Sequence, residues 1–239
     1  GKFVGLDTKD NIVGTDSDDI LISTGAGDDI INMGKGNDTI TIDGAGHKVV
    51  KLDNGAGNDI VKGIASSDST TITYTTYNSA SDNQVFEKSG KDLVITTNYI
   101  GSSNTTTDTV KIEGFFDSSV DITSKANISF DGSTSDTIAT YLDERLTVAA
   151  DLTTDTTVAT FTTDENYGSI VNANYDKKNV VTLTSTDKSD TVNVDLTKNT
   201  EVTQLKAGSS ADVINLTSTS ASDVTLMVNI NKDGSAVTT

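Results

Sequence analysis

The feature that most constrains this chain is a nine-residue repeat near its start. Residues 24–32 read TGAGDDIIN, residues 33–41 MGKGNDTIT and residues 54–62 NGAGNDIVK. Each follows the pattern G-G-x-G-x-D-x-U-x, with U a large apolar residue, apart from the first glycine. Residues 14–22 (GTDSDDILI) and 43–51 (DGAGHKVVK) are degraded copies, and residues 5–13 (GLDTKDNIV) are a weaker one. The sixth positions are Asp10, Asp19, Asp29, Asp38, Lys48 and Asp59, spaced by 9, 10, 9, 10 and 11 residues. The eighth positions are Ile12, Leu21, Ile31, Ile40, Val50 and Val61, all aliphatic. An unbroken aliphatic column is what a single buried ladder of short strands requires.

The residue types point to a chemistry. Gly25, Gly27, Gly34, Gly36, Gly55 and Gly57 permit backbone conformations that residues with a Cβ resist, so a tight turn can aim carbonyl oxygens inward. The neighbouring Asp10, Asp19, Asp29, Asp38 and Asp59 add hard carboxylate oxygens. Calcium takes about six to eight oxygens at flexible geometry, and carbonyls with carboxylates supply them. The bland alternative is a set of ordinary Gly/Asp turns between strands.

This segment closely resembles the RTX (repeats-in-toxin) family. The resemblance implies a parallel β-roll in which one nonapeptide makes half a turn and alternate loops stack with calcium between them. It places the loops of Asp19, Asp38 and Asp59 on one side, and those of Asp10, Asp29 and Lys48 on the other. Lys48 departs from the family pattern, and so does His47, the sole histidine. A calcium site between the loops of Asp29 and Lys48 is expected to be weak or absent. The ammonium either lies against Asp29 or a loop carbonyl, or is turned to solvent because Ile42, Leu52 and Asp53 splay the loop. His47 reads as a turn residue, since zinc needs more suitable ligands than one.

The rest of the chain reads as β structure. Hydrophobic residues make up 34% and aromatic ones 5%, with no Trp, Cys or Pro, and Thr, Val and Ile favour pleated, half-buried strands. Apolar alternation at Leu93, Ile95, Val110 and Ile112 marks strands over residues 65–134, with Ser-Gly, Gly-Ser and Asp-Gly turns. The order of these parts resembles the tail that follows RTX repeats. Phe86, Phe115, Phe116 and Phe130 are expected to plug the open end of the roll, with a ligand-binding platform as the rival reading. Residues 135–150 carry Ile138, Tyr141, Leu142, Leu146 and Ala149 near helical spacing after a candidate Ser135 N-cap, which predicts a short linker helix. Residues 151–239 predict a second β-rich region, a sandwich or an irregular solenoid. Three fragments there resemble worn repeats, at Asp190, Asp212 and Asp223. Their flanking glycines are mostly replaced by Ser or Thr, so calcium at these aspartates is left open. The expected domains are thus a calcium-binding β-roll (1–64), cap strands (65–134), a linker (135–150) and a Thr/Val-rich β domain (151–239).

Charge and motifs narrow the function. The net charge is −18, from 17 Lys and Arg against 35 Asp and Glu, so nucleic acid and anionic membranes are not expected as partners. No apolar run approaches the length of a membrane span, and Gly1-Lys2-Phe3 reads as the cut edge of a longer protein. One histidine does not make an H-E-x-x-H site, and no G-x-S-x-G elbow is present, so no enzyme activity is expected. The resemblance, with the Thr richness and the β sequence beyond the repeats, implies a calcium-stabilised structural module of an exported bacterial surface-layer (S-layer) protein. Secretion by a type I system, self-association into a lattice and a possible cell-surface glycan contact elsewhere in the protein go with that reading. The alternatives are a module of an RTX adhesin and the non-catalytic calcium module of an exported enzyme.

Overall fold

The computed structural model describes residues 1–130, 134–143, 145–151, 158–162, 166–174, 180–184, 188–195, 203–206, 212–217 and 226–229. The chain divides into two compact units, Gly1–Tyr141 and Leu142–Thr239. It is nearly all β, and its parallel stacked sheets resemble a β-solenoid.

The first unit begins with short strands that alternate between two sheets. These are β1 (Lys2–Val4), β2 (Asn11–Thr15), β3 (Ile20–Ser23), β4 (Asp29–Gly34), β5 (Thr39–Thr41), β6 (His47–Leu52), β7 (Asn58–Lys62) and β8 (Ser69–Tyr74). Odd strands pair in parallel in the order β1-β3-β5-β7, and even ones in the order β2-β4-β6-β8. Leu21 faces Ile40, nineteen residues on, and Ile31 likewise faces Val50. The eighth-position column is buried from Ile12 to Val61, because alternate residues of a strand point to opposite faces and only one face meets the interior. Ile42 and Leu52 are buried with that column. They fill the core and do not splay the loops.

The coil then changes character. Strands β9 (Asn83–Ser89), β10 (Asp92–Ile100) and β11 (Thr105–Ile112) form an antiparallel meander, whose β11 docks in parallel on β7. On the other sheet β12 (Ala126–Phe130) docks in parallel on β8. The short β13 (Asp136–Thr137) pairs antiparallel with β12. Phe130 packs on Tyr74, Tyr77 and Tyr141, with ring centroids 4.9–5.8 Å apart, and Tyr141 meets Phe86 edge-on. Phe86, Phe115 and Tyr74 are almost wholly buried, so these rings close an interior.

The short helix expected within residues 135–150 is a single turn. Only α1 (Ile138–Leu142) is helical, and Leu146–Asp151 is a strand, β14. The cap is Thr137, whose Oγ1 accepts from the Thr140 N–H at 3.2 Å; Ser135 plays no such part. Ile138, Leu142 and Leu146 are all fully buried. One helical turn followed by a strand therefore satisfies the same apolar spacing that suggests a longer helix.

In the second unit β14 is followed by β15 (Val158–Thr162), β16 (Ser169–Asn174), β17 (Val180–Thr184), β18 (Thr191–Asp195), β19 (Thr203–Lys206), β20 (Val213–Thr217) and β21 (Leu226–Asn229). Even strands stack β14-β16-β18-β20 and odd ones β15-β17-β19-β21, all in parallel. The register aligns Val148, Val171, Val192 and Ile214, and separately Phe161, Leu183, Leu205 and Val228. Of the two expected forms, the described strands take the solenoid.

Candidate cation-binding loops

The glycine turns of the first unit stack directly on one another. The six repeat glycines all have positive φ, and the contacts show why a side chain is excluded. A Cβ at Gly57 (φ +104°) would lie 2.0 Å from the carbonyl oxygen of Gly36 in the loop below. Gly55, in the same turn, would meet nothing within 4 Å, so it is needed only for its backbone conformation.

Three of the sixth-position carboxylates reach back to the backbone of the preceding loop on their side. Asp38 Oδ1 accepts from the Asp19 N–H at 2.8 Å, Asp59 Oδ1 from Asp38 N–H at 2.9 Å, and Asp29 Oδ1 from Asp10 N–H at 2.9 Å. Asp19, Asp29, Asp38 and Asp59 are all buried. A parallel ladder runs one residue earlier: Asp18 Oδ1 accepts from Asn37 N–H, Asn37 Oδ1 from Asn58 N–H, and Asp28 Oδ1 from His47 N–H. His47 Nδ1 lies 2.8 Å from Ser69 Oγ, which places it in this ladder at the start of β6.

The second carboxylate oxygens differ from loop to loop. Asp10 Oδ2 folds back on the Leu6 N–H at 2.6 Å. Asp19 Oδ2 accepts from the N–H and hydroxyl of Thr15 at 2.6 and 2.9 Å. Asp29 Oδ2 takes the Lys48 ammonium at 2.7 Å. Asp38 Oδ2 is buried with no hydrogen-bond partner. Burial pushes the Asp38 carboxyl up, with the nearby Asp19 charge adding to it. At Asp59 burial, reinforced by the charges of Asp38 and Asp108, pushes the carboxyl up to about 7.

Lys48 defines where a cation sits in such a loop pair. Its side chain is 0% exposed. Its Nζ lies 2.7 Å from each of Gly25 O, Gly27 O and Asp29 Oδ2, and 3.3 Å from Ala45 O. In repeat positions these are carbonyls two and four and carboxylate six of one loop, and carbonyl three of the next on that side. The alternative that points Lys48 into solvent is thereby corrected. The same positions on the opposite side are Gly34, Gly36, Asp38 and Ala56, the set that contains the partnerless Asp38 Oδ2. Carbonyls together with one buried carboxylate are the donor types that a hard cation takes. Among the described residues, no group of three or more Asp, Glu or His side chains converges to hold a metal, so backbone oxygens would have to supply most of the shell.

Two residues outside the repeat motif complete the loops. Asp108, two residues before the Val110 that pairs with Asp59, accepts from the N–H groups of Gly55, Ala56 and Gly57 at 2.7, 3.2 and 3.2 Å. It ends the stack with a carboxylate on the last glycine turn. Asp43 takes the Ser23 hydroxyl, the Thr24 hydroxyl and the Gly25 N–H. Despite the cost of burial, these bonds hold its carboxyl below the ordinary range. Asp43 occupies the first position of its repeat, where the motif carries glycine, and Asp108 lies beyond the repeats, so the motif flagged neither.

In the second unit, Asp190 Oδ1 accepts from the Ser169 N–H at 2.8 Å and Asp212 Oδ1 from the Asp190 N–H at 3.0 Å. This is the arrangement of the sixth-position aspartates, rebuilt with few glycines. Asp223 lies outside the described residues.

Comparison of the chain with models of known protein families and with curated proteins finds no match.

Proposed function

We propose that the first unit is a calcium-stabilised module of the RTX kind, with a structural role in an exported bacterial surface-layer protein. The observation that carries the calcium part is the buried, partnerless Oδ2 of Asp38, at the repeat position where Asp29 holds the Lys48 ammonium. A carboxylate kept from water without a donor is costly, and a cation bound there would remove the cost. Asp38 with the carbonyls of Gly34, Gly36 and Ala56 would hold it, and Asp10, Asp19, Asp29 and Asp59 are the corresponding carboxylates of the other loops. Bound calcium would supply charge neutralisation and a link between stacked loops.

The module is read as non-catalytic, since the acidic side chains that a hydrolase would need in pairs are those engaged in the loop ladders. Among the described residues no helix is long and apolar enough to cross a membrane. Self-association is supported by apolar side chains left in solvent on the first strands and turns, among them Val4, Leu6, Val13 and Ile22, at 49–66% exposure. Extracellular calcium modules bind at about 10⁻⁴–10⁻³ M, so the unit would complete its folding on leaving the cell. Circular dichroism in EGTA and then in millimolar calcium tests this. The β signal and melting temperature of the first unit are expected to rise with calcium, and an unchanged spectrum and melting temperature would refute the reading. Light scattering over the same titration tests assembly.

A further inference from the structure

We propose that Lys48 is a tethered cation that takes the place of a bound ion between loops 25–29 and 44–48, and that removing it opens a divalent-cation site there. The inference deepens the calcium reading and borrows from it only the identity of the ion that would replace the ammonium.

A lysine in a glycine turn ordinarily extends into water, because its ammonium is strongly hydrated and burial is expensive. Here the whole side chain is buried, and its Nζ lies among three carbonyls and one carboxylate. Four oxygens around one positive centre make a coordination shell; an ordinary surface ion pair supplies one or two. The charge also balances locally. Two aspartates facing each other across a loop pair, as Asp38 and Asp59 do, carry two negative charges when both are ionised and then suit a divalent ion. On this side Lys48 pairs directly with Asp29 across β4 and β6, so one aspartate is replaced by a positive group and the pair is neutral without any metal.

The consequence is a division of labour within one coil. The Gly25–Asp29 loop is held by a cation the chain carries with it, whereas the Asp38 loop on the other side has an unmet oxygen. The Lys48 side is therefore assembled whether or not calcium is present and serves as the part on which the other side orders.

The test uses the full chain and two variants, Lys48→Met, which keeps the apolar stem, and Lys48→Asp, which restores the repeat's carboxylate. Hydrogen exchange of the Gly25–Asp29 amides is followed in EGTA and in calcium chloride, with calcium stoichiometry from titration calorimetry. In the wild type, protection of these amides is expected to be the same in EGTA and in calcium. In Lys48→Met it should fall about ten-fold or more in EGTA. Lys48→Asp should lose protection in EGTA, regain it in calcium, and bind about one more ion than the wild type. Wild-type protection retained in Lys48→Met would overturn the inference, as would a Lys48→Asp protein that gains no ion or does not refold in calcium. If Lys48→Met fails to fold as a whole, the calcium rescue of Lys48→Asp decides. A wild type that binds no calcium, with Lys48→Met still losing protection, would sink the calcium reading and leave the tethered cation standing.

Discussion

Asp38→Asn should move stability in opposite directions in the absence and presence of calcium. In the metal-free protein Asp38 Oδ2 is buried without a donor, and burial has already pushed its carboxyl up. An unmet polar atom of this kind costs about 1–3 kcal/mol. Asparagine has nearly the same shape and keeps an oxygen for the Asp19 N–H. It removes the charge and offers an amide N–H toward the neighbouring carbonyls. The variant should thus be more stable in EGTA by about 1 kcal/mol, a rise in melting temperature of roughly 2–4 °C for a domain of this size. Calcium at a hundred-fold over its dissociation constant stabilises the wild type by about 2.7 kcal/mol per site. A site missing its carboxylate forfeits most of that, so in calcium the variant should be the less stable protein by about 1–2 kcal/mol. Urea unfolding followed by circular dichroism in both buffers measures the crossing. A variant less stable in both would mean that Oδ2 is already satisfied. An equal calcium response in the two proteins would mean that Asp38 is no ligand.

Other expectations follow from single contacts. Asp108→Ala strips the acceptor from three backbone N–H groups and should cost about 3 kcal/mol in urea unfolding, calcium or not; a loss under about 1 kcal/mol would show that water replaces it. Gly57→Ala should destabilise by several kcal/mol, since its Cβ collides with Gly36 O, whereas Gly55→Ala should cost only the backbone strain of about 1–2 kcal/mol; equal losses in thermal melts would contradict the stacking. The metal-free protein should lose stability as pH rises from about 4 to 7, because folded Asp59, raised to about 7, holds a proton that an unfolded aspartate with a pKa of about 3.9 has released. Melting temperatures in EGTA that climb over that window would refute the assignment.

Much of this architecture could be read from the chain without coordinates. The eighth-position column from Ile12 to Val61 is legible because burial of one strand face imposes a period of two within each strand and a fixed spacing between strands. The turn glycines are legible because a positive φ leaves a mark in composition. Over residues 135–150 the spacing is less decisive: Ile138, Leu142 and Leu146 are buried in both a helix and a helix–strand joint, and spacing alone does not separate them.

The sequence by itself determined the repeat, its register and the aspartates that occupy the loops, since these are local consequences of nine-residue periodicity. Only the tertiary structure decided what each carboxylate meets. Asp29 and Asp38 sit at the same repeat position and look interchangeable in the sequence, yet one holds an ammonium and the other has an oxygen with no partner. That difference comes from a residue nineteen positions away, Lys48, brought opposite Asp29 by the pairing of β4 with β6. Asp108 caps a turn more than fifty residues earlier for the same reason. The repeat spacing places the loop of Lys48 on the side of Asp29, but strand stacking decides whether its ammonium meets that carboxylate or solvent, and brings Asp108 onto the last glycine turn.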